Sequence, residues 1–508
     1  MKKVFLWLMV VVMTITMMAI IPLAGCKTAT EEVAETTAVA ETTAVAETTA
    51  VAETTAVAVG AIPSVLTMPE QIAEGRPVTI TVANCPPSSQ PVLLMVWKEQ
   101  AARFKELYPN VIINASDYTY SPDSFAPLVA GHQVPTLFLV YLTDPKMMID
   151  QGVCADLTSI FEAQGLDEVY NPGLLSMVSK DGKVYGIPMA AYTMGLVYNI
   201  SMLKAAGFDG PPTTWDELVT MAEALTNRDA GVAGFSFCTG GGNEIGWHMT
   251  IIAFDYSGFK NSDVAIKQAD GKYKAGFDNA TMLSALNFVK ELRWTNDVLP
   301  RELLGWGANG EAIALGTAAM AIMAGDQFNW IKQQYPDTDM NNLGFAPLPL
   351  GPDGTSVSLG GGDIAMVSAA ATPDQIEAAV YFRLWDKLDP GEITARFEAG
   401  AKDPSIVVGA PVYPLYVGSF QDAMASLEQE YANLPVENYT LYVDGIISGK
   451  TIVMPEGQVK FQEYYGLITS IVGTIVTVEK ADPAALLTQA AKTYQTDVLD
   501  LIGVVVEK

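Results

Sequence analysis

The chain reads as an α/β protein, and three observations predict that class. Short β-rich runs alternate with helical apolar spacing through the first part of the body, and helix-starting and helix-stopping residues stand at the ends of those runs. Half of the 508 residues are apolar and 17% are charged, so sizeable cores can form. Residues 78–83 alternate as Val-Thr-Ile-Thr-Val-Ala, a strand. Residues 91–108 place Leu94, Trp97, Ala101, Phe104 and Leu107 on one helical face. Val111-Ile-Ile-Asn is a second strand, 125–130 a short helix, 136–141 a third strand, and 145–151 a helix closed by Gly152. Such alternation implies a mostly parallel sheet with ligands at the carboxyl ends of its strands. That rule nominates three loops, 84–90, 117–121 and 141–144.

Upstream of the body, Lys2 and Lys3 precede an apolar run over 4–21 that ends in Leu23-Ala24-Gly25-Cys26. A basic head, an apolar core and small residues before a cut describe a lipoprotein signal peptide over 1–25, with Cys26 the thiol that would carry a diacylglycerol. Membrane contact would then run through that lipid anchor only, on the outer side of the cell membrane. Glu-Thr-Thr-Ala-Val-Ala follows, starting at Glu35 and repeating from Glu41, Glu47 and Glu53. Val is the only residue of the unit able to form a core, too little to offset the entropy of ordering it. Residues 26–62 are therefore expected to act as a disordered tether, and a solenoid is the weaker alternative.

The body from 63 onward is large enough for two domains. The formal net charge of −28 repels nucleic acid and anionic lipid, so neither is an expected partner. The apolar stretch 467–478 is too short to span a bilayer and is interrupted by Gly473, Thr474 and Thr477. Cys85, Cys154 and Cys238 match no zinc spacing, and three small buried hydrophobes are the better reading. Only His132 and His248 occur, which leaves little for a serine or cysteine triad and excludes the two-histidine helical zinc motif. Neither a cofactor nor a metal is expected.

The most informative stretch lies at 182–218. Gly-Lys-Val-Tyr-Gly-Ile-Pro ends a turn at 185–188, and 193–198 is a β-rich run. Asn199 starts a short helix stopped by Gly207, and Pro211 and Pro212 break the chain. Thr214 then caps a helix that opens Trp-Asp-Glu-Leu, with Glu217 at the capping-box position. Further on stand Gly316-Thr-Ala-Ala-Met-Ala-Ile-Met-Ala-Gly, then Leu343-Gly-Phe-Ala-Pro-Leu-Pro-Leu-Gly-Pro-Asp-Gly, then Gly360-Gly-Gly-Asp-Ile-Ala-Met-Val before a helix from Pro373. In this order the segments resemble the family 1 extracellular solute-binding proteins, the capture subunits of carbohydrate ABC importers. Two positions depart from the family pattern. Pro135-Thr136 stands where Pro-Asp is usual, and Gly325-Asp326-Gln327 where Gly-x-Trp is common, with Trp330 three residues on.

The resemblance implies a monomeric, two-lobed periplasmic-binding-protein-like fold. Lobe 1 would hold 63–192 plus 318–362 and lobe 2 would hold 193–317 plus 363–508, with crossings near 190–196, 316–320 and 361–365. Ligand would sit in the interlobe cleft, the lobes closing over it, and ABC transporter permease subunits would receive it. Sugars ask for flat apolar faces and planar polar groups. Tyr118, Tyr141, Tyr192, Trp247, Trp306 and Trp330 can supply the first, and Asp144, Asp326 and Asp363 the second. Gly361 and Gly362 would let backbone N–H groups approach a ligand oxygen. Trp247 is the best single choice, because it follows the glycine-rich 240–246 at a helix entry. The scarcity of His and the aromatic loops favour an uncharged saccharide, while acidity keeps a polyamine in play. A receptor for a membrane sensor would look the same, and a secreted glycosidase needs only two of the many carboxylates.

Overall fold

Strand pairing organises the body around two long strands. The computed structural model describes residues 62–403 and 406–502. The expected signal peptide, Cys26 and all of the tether except Ile62 lie outside the described residues. Ile62 itself is 9% exposed and packs with Leu66 and Ile72, so the packed body starts no later than there.

The main sheet has eight strands. They are β1 (Val78–Val82), β2 (Val111–Ala115), β3 (Leu137–Tyr141), β4 (Gly186–Asn199), β5 (Met320–Ala324), β6 (Leu343–Ala346), β7 (Ser356–Val367) and β8 (Thr451–Pro455). The path runs β6-β4-β7-β3-β1-β2, with β5 on β4 and β8 on β7. β1 pairs parallel with β2 and β3, and β7 with β8, whereas β4 pairs antiparallel with β5, β6 and β7, as β7 does with β3. The expected mostly parallel sheet is thus a mixed one. Strand–helix alternation holds only up to β3, and the later strands return in the opposite sense.

Local signals set most of the early elements. The strand-and-helix reading of 78–151 holds to within a few residues, with the helix Pro122–Ala130 starting earlier than expected under a Ser121–Ser124 capping box. Asn199 caps Ile200–Ala205 by accepting from the Met202 N–H at 3.0 Å, and Thr214 and Glu217 form the expected capping box on Trp215–Leu225. Residues 185–188 differ. Instead of ending a turn, Gly186 to Pro188 open β4, and Pro188 sits opposite Ile364 where the register of β7 shifts between Asp363 and Ile364. A proline lacks the N–H a ladder needs, and a bulge is where a strand tolerates it.

Two sets of cores flank these strands. One joins Ile80, Phe104, Tyr170, Ile187, Ala365 and Phe382, extending to Phe420 and Leu427. Another joins Met194, Leu196, Trp215, Ile251, Leu286, Met320, Leu359 and Ile468. β4 passes from the first to the second between Met189 and Met194, and β7 passes back between Leu359 and Ala365. A third passage falls between Leu427 of the first core and Leu434, which packs with Phe328, Phe345 and Tyr442 beside β4 residue Val197.

These memberships correct the expected boundaries. Residues 320–346 pair with the 194–199 half of β4 and pack on that side, while most of 364–427, apart from Val407 and Ala410, packs with β1 to β3, the reverse of the expected assignment. The segment 316–320 is no crossing either. Ala318, Ala319 and Met320 are fully buried, with a parallel bridge from Ala318 to Ala233. Small residues there serve close packing. The apolar stretch 467–478 lies largely within the helix Phe461–Thr477, whose Ile468, Ile471, Val472 and Ile475 face the second core. No helix among the described residues is long and apolar enough to cross a membrane.

Candidate functional site

A cavity of about 640 Å³ opens where β4 and β7 change cores. Tyr192 of β4 lies directly across from Gly361 of β7 in the ladder, and both line it. The glycine-rich segment 240–242 leads into the helix Glu244–Ser257 and places Asn243, Glu244 and Trp247 on the wall. The N–H groups of Thr239 and Gly240 both donate to the Leu304 carbonyl, at 2.8 and 2.9 Å. That contact brings Trp306, first residue of the helix Trp306–Ala314, against Trp247. Their rings stack with centroids 5.7 Å apart and planes 15° off parallel, and Tyr192 meets Trp247 edge-on at 6.0 Å. Offset aromatic faces of this kind present an apolar surface to sugar C–H bonds.

Gly361 is what lets the rings close in. A Cβ there would lie 2.8 Å from Tyr192 Cε2 and 3.1 Å from Trp247 Cζ2. At Gly362, φ is +157° and a Cβ would meet the Ala190 carbonyl oxygen at 2.2 Å. These glycines thus serve ring and backbone packing. Behind the platform, His248 is fully buried and its Nδ1 accepts from the Cys238 N–H at 3.3 Å. Burial holds its pKa down at about 3, so it is neutral, and its ring meets Trp306 edge-on at 5.9 Å.

Of the residues expected at the site, Tyr141, Tyr192, Trp247, Trp306, Gly361 and Gly362 line this one cavity. The others stand apart from its wall. Tyr118 points its hydroxyl at Ser124 Oγ, 3.2 Å away. Asp144 is 7% exposed and accepts from the Tyr120 hydroxyl at 2.9 Å, and burial raises its carboxyl to about 6 despite that bond. Trp330 packs over Gly307 and Gly310 on the Trp306–Ala314 helix and against Tyr335. Its distance in sequence from the family tryptophan corresponds to this different place. Asp326 and Asp363 both act electrostatically on the wall residue Tyr192. Burial raises each to about 6, and Asp363 pushes Asp326 further the same way.

Other wall residues escaped sequence reasoning. Asn243 and Glu244 lie inside the glycine-rich entry already noted. Ser121 and Pro122 start the helix after β2, at the end of a nominated loop. Glu456, Gln462 and Tyr465 come from the late segment, where only 467–478 carried a signal; the turn 455–458 and the aromatic run 461–465 were the available cues. Glu456 is 7% exposed and accepts from the Tyr465 hydroxyl at 2.8 Å; burial raises its carboxyl to about 8. Gln462 is held by Asn243 Nδ2, which donates to its Oε1 at 2.9 Å, while its own Nε2 donates to Thr143 Oγ1 at 3.2 Å. Glu456, Gln462 and Tyr465 thus join the wall with their polar ends fixed. Cys154 and Cys238 are buried as expected and Cys85 partly so; all three are free thiols.

Comparison with known proteins assigns the class. Residues 99–385 match the model of the bacterial extracellular solute-binding proteins, and the chain belongs to that family. It is 28% identical over 270 residues to an uncharacterized ABC transporter extracellular-binding protein of Pyrococcus horikoshii, covering 50% of this chain and 58% of the relative. With a binding protein of Brucella abortus it shares 27% identity over 219 residues, 42% of this chain and 49% of the relative. The chain thus spans about half the length of the curated relatives it matches. Solved structures align more widely. Maltose-bound MalE3 of T. maritima gives a TM-score of 0.64 at 20% identity, over 83% of this chain and 100% of that one. A chitin oligosaccharide binding protein gives 0.64 at 18% (82% and 98%), and UgpB from Mycobacterium tuberculosis, in complex with glycerophosphocholine, gives 0.63 at 18% (82% and 98%). At such identities the likeness shows the fold, which is the expected two-lobed one.

Proposed function

We propose that this protein captures a saccharide in the cavity at the strand crossings and delivers it to the permease subunits of an ABC importer, performing no chemistry of its own. The observation that carries this reading is the Trp247–Trp306 stack set into a cavity large enough for a small oligosaccharide. Tyr141, Tyr192 and Tyr465 add ring edges and hydroxyls, and Asn243 and Gln462 add planar amides. Maltose and chitin oligosaccharides bound by structural neighbours agree with it. A phosphate-bearing solute such as glycerophosphocholine fits less well, because neither Lys nor Arg lines the cavity.

The lobes in this reading are 62–192 plus 363–431, and 193–362 plus 432–502, hinged at β4, β7 and the passage after Leu427. The body works as a monomer outside the cell, tethered by residues 26–61 to a lipid on Cys26. A thermal-shift screen of residues 58–508 against mono- and oligosaccharides, polyamines and divalent metals tests the ligand class, since a solute that binds only the folded state raises the midpoint. Saccharide hits without turnover are the expected result. A polyamine or metal hit alone would overturn the saccharide, and hydrolysis of the saccharide would make the protein a glycosidase.

A further inference from the structure

The cavity wall is one-sided in charge. Its ionisable side chains besides tyrosine are Glu244 and Glu456. Glu244, partly buried at the start of its helix, folds its carboxylate back towards Gly241 and Gly242. Glu456 is the more telling group. It is more than nine-tenths buried, its Oε1 is bonded by Tyr465, and among the described residues that is the one hydrogen bond on its carboxyl. Glu456 lines the cavity. The wider surroundings add Asp144, Asp326 and Asp363, all felt by the wall tyrosines or by Glu456. Two cations that act on these carboxyls already have acidic partners. Lys460 donates to Glu463 at 2.8 Å, and buried Lys387 feels Asp386 ahead of Asp363. A wall carboxyl held by one hydrogen bond keeps acceptor capacity for a donor from the ligand.

We propose, building on the saccharide reading, that the ligand is an amino sugar whose protonated amine sits against Glu456, with Glu244 reinforcing the same preference. The aromatic stack takes the ring face and the carboxylates take the nitrogen. The same wall disfavours uronic-acid and phosphorylated sugars, because neither Lys nor Arg lines it to meet their charge.

Calorimetric titration of residues 58–508, a single compact unit holding every described element, tests this at about pH 6, where amines keep their proton and Glu456, raised to about 8, releases its own on pairing with the amine. The probes are glucosamine and galactosamine oligomers, their fully N-acetylated forms, a galacturonic acid oligomer and spermidine. The free-amine form of one series is expected to bind at least about tenfold tighter than its N-acetylated form, with no binding of the uronic acid. Glu456→Gln, which keeps an acceptor for Tyr465, is expected to bring that ratio down to about one; Glu244→Gln reduces the ratio in the same direction. Equal or tighter binding of the N-acetylated form overturns the amine and leaves the saccharide reading standing. An unchanged ratio in both variants overturns the assigned seat. Spermidine binding without any saccharide overturns the saccharide reading instead, and silence from every probe overturns both.

Discussion

Trp247 carries the platform on which the proposed function rests, stacked on Trp306 on one side and edged by Tyr192 on the other. Trp247→Phe keeps a smaller ring in the stack, and its saccharide affinity is expected to fall about tenfold in a calorimetric titration, roughly 1.4 kcal/mol. Gly361→Ala acts from the opposite wall. Its methyl would force Tyr192 and Trp247 apart, so binding is expected to fall at least tenfold, about 1.4 kcal/mol, with circular dichroism still showing a folded protein. The Asp326 carboxyl makes a prediction about pH. Burial and then Asp363 raise it from its ordinary range to about 6, so the folded chain holds this proton more tightly than the unfolded one. That contribution to stability is complete below the ordinary carboxylate range and disappears as pH rises through about 6. Asp326→Asn is therefore expected to raise the unfolding free energy at pH 8, on the order of 1 kcal/mol, and to change it little at pH 4. Denaturant titrations at the two pH values measure both.

Among the elements, those governed by local chemistry were legible and those governed by pairing were not. Thr214 and Glu217 announce the helix Trp215–Leu225 because a capping box is satisfied within four residues. Glu217→Ala removes the side chain that accepts from the Thr213 and Thr214 N–H groups, and is expected to lower stability by about 1 kcal/mol, read as a lower urea midpoint with unchanged slope. β4 is the contrary case. Gly186 and Pro188 look like punctuation in sequence, yet they extend a 14-residue strand, because β4 bulges at Met189 while Pro188 and Ala190 pair with consecutive residues of the antiparallel partner β7. Nothing within 182–199 encodes that partner, which lies more than 150 residues away. The same holds at the site. Tyr192, Gly361 and Trp247 stood beside recognisable motifs, whereas Glu456 and Tyr465 reach the cavity through packing of the helix Phe461–Thr477 against Glu244–Ser257, where Tyr465 backbone lies on Gly246.

For the molecule as a whole, the two-lobed class followed from the order of motifs, while the membership of each lobe depended on strand direction. Residues 320–346 joined the second core because β5 and β6 run antiparallel to the far half of β4; apolar content alone could place them on either side. The arrangement leaves a cavity at the crossings, lined from both long strands, so a ligand held there as proposed would contact both proposed lobes. Closure on the ligand is accordingly expected, and small-angle scattering should show a smaller radius of gyration for residues 58–508 with a bound saccharide than without. Unchanged dimensions would contradict a hinge at β4 and β7. The most direct test of the central claim is calorimetric titration of a saccharide hit into the wild-type body, Trp247→Ala and Trp330→Ala. A one-to-one complex that Trp247→Ala weakens by about a hundredfold and Trp330→Ala leaves intact is the predicted result. Equal affinity in Trp247→Ala, or equal loss in Trp330→Ala, would contradict capture on the Trp247–Trp306 face.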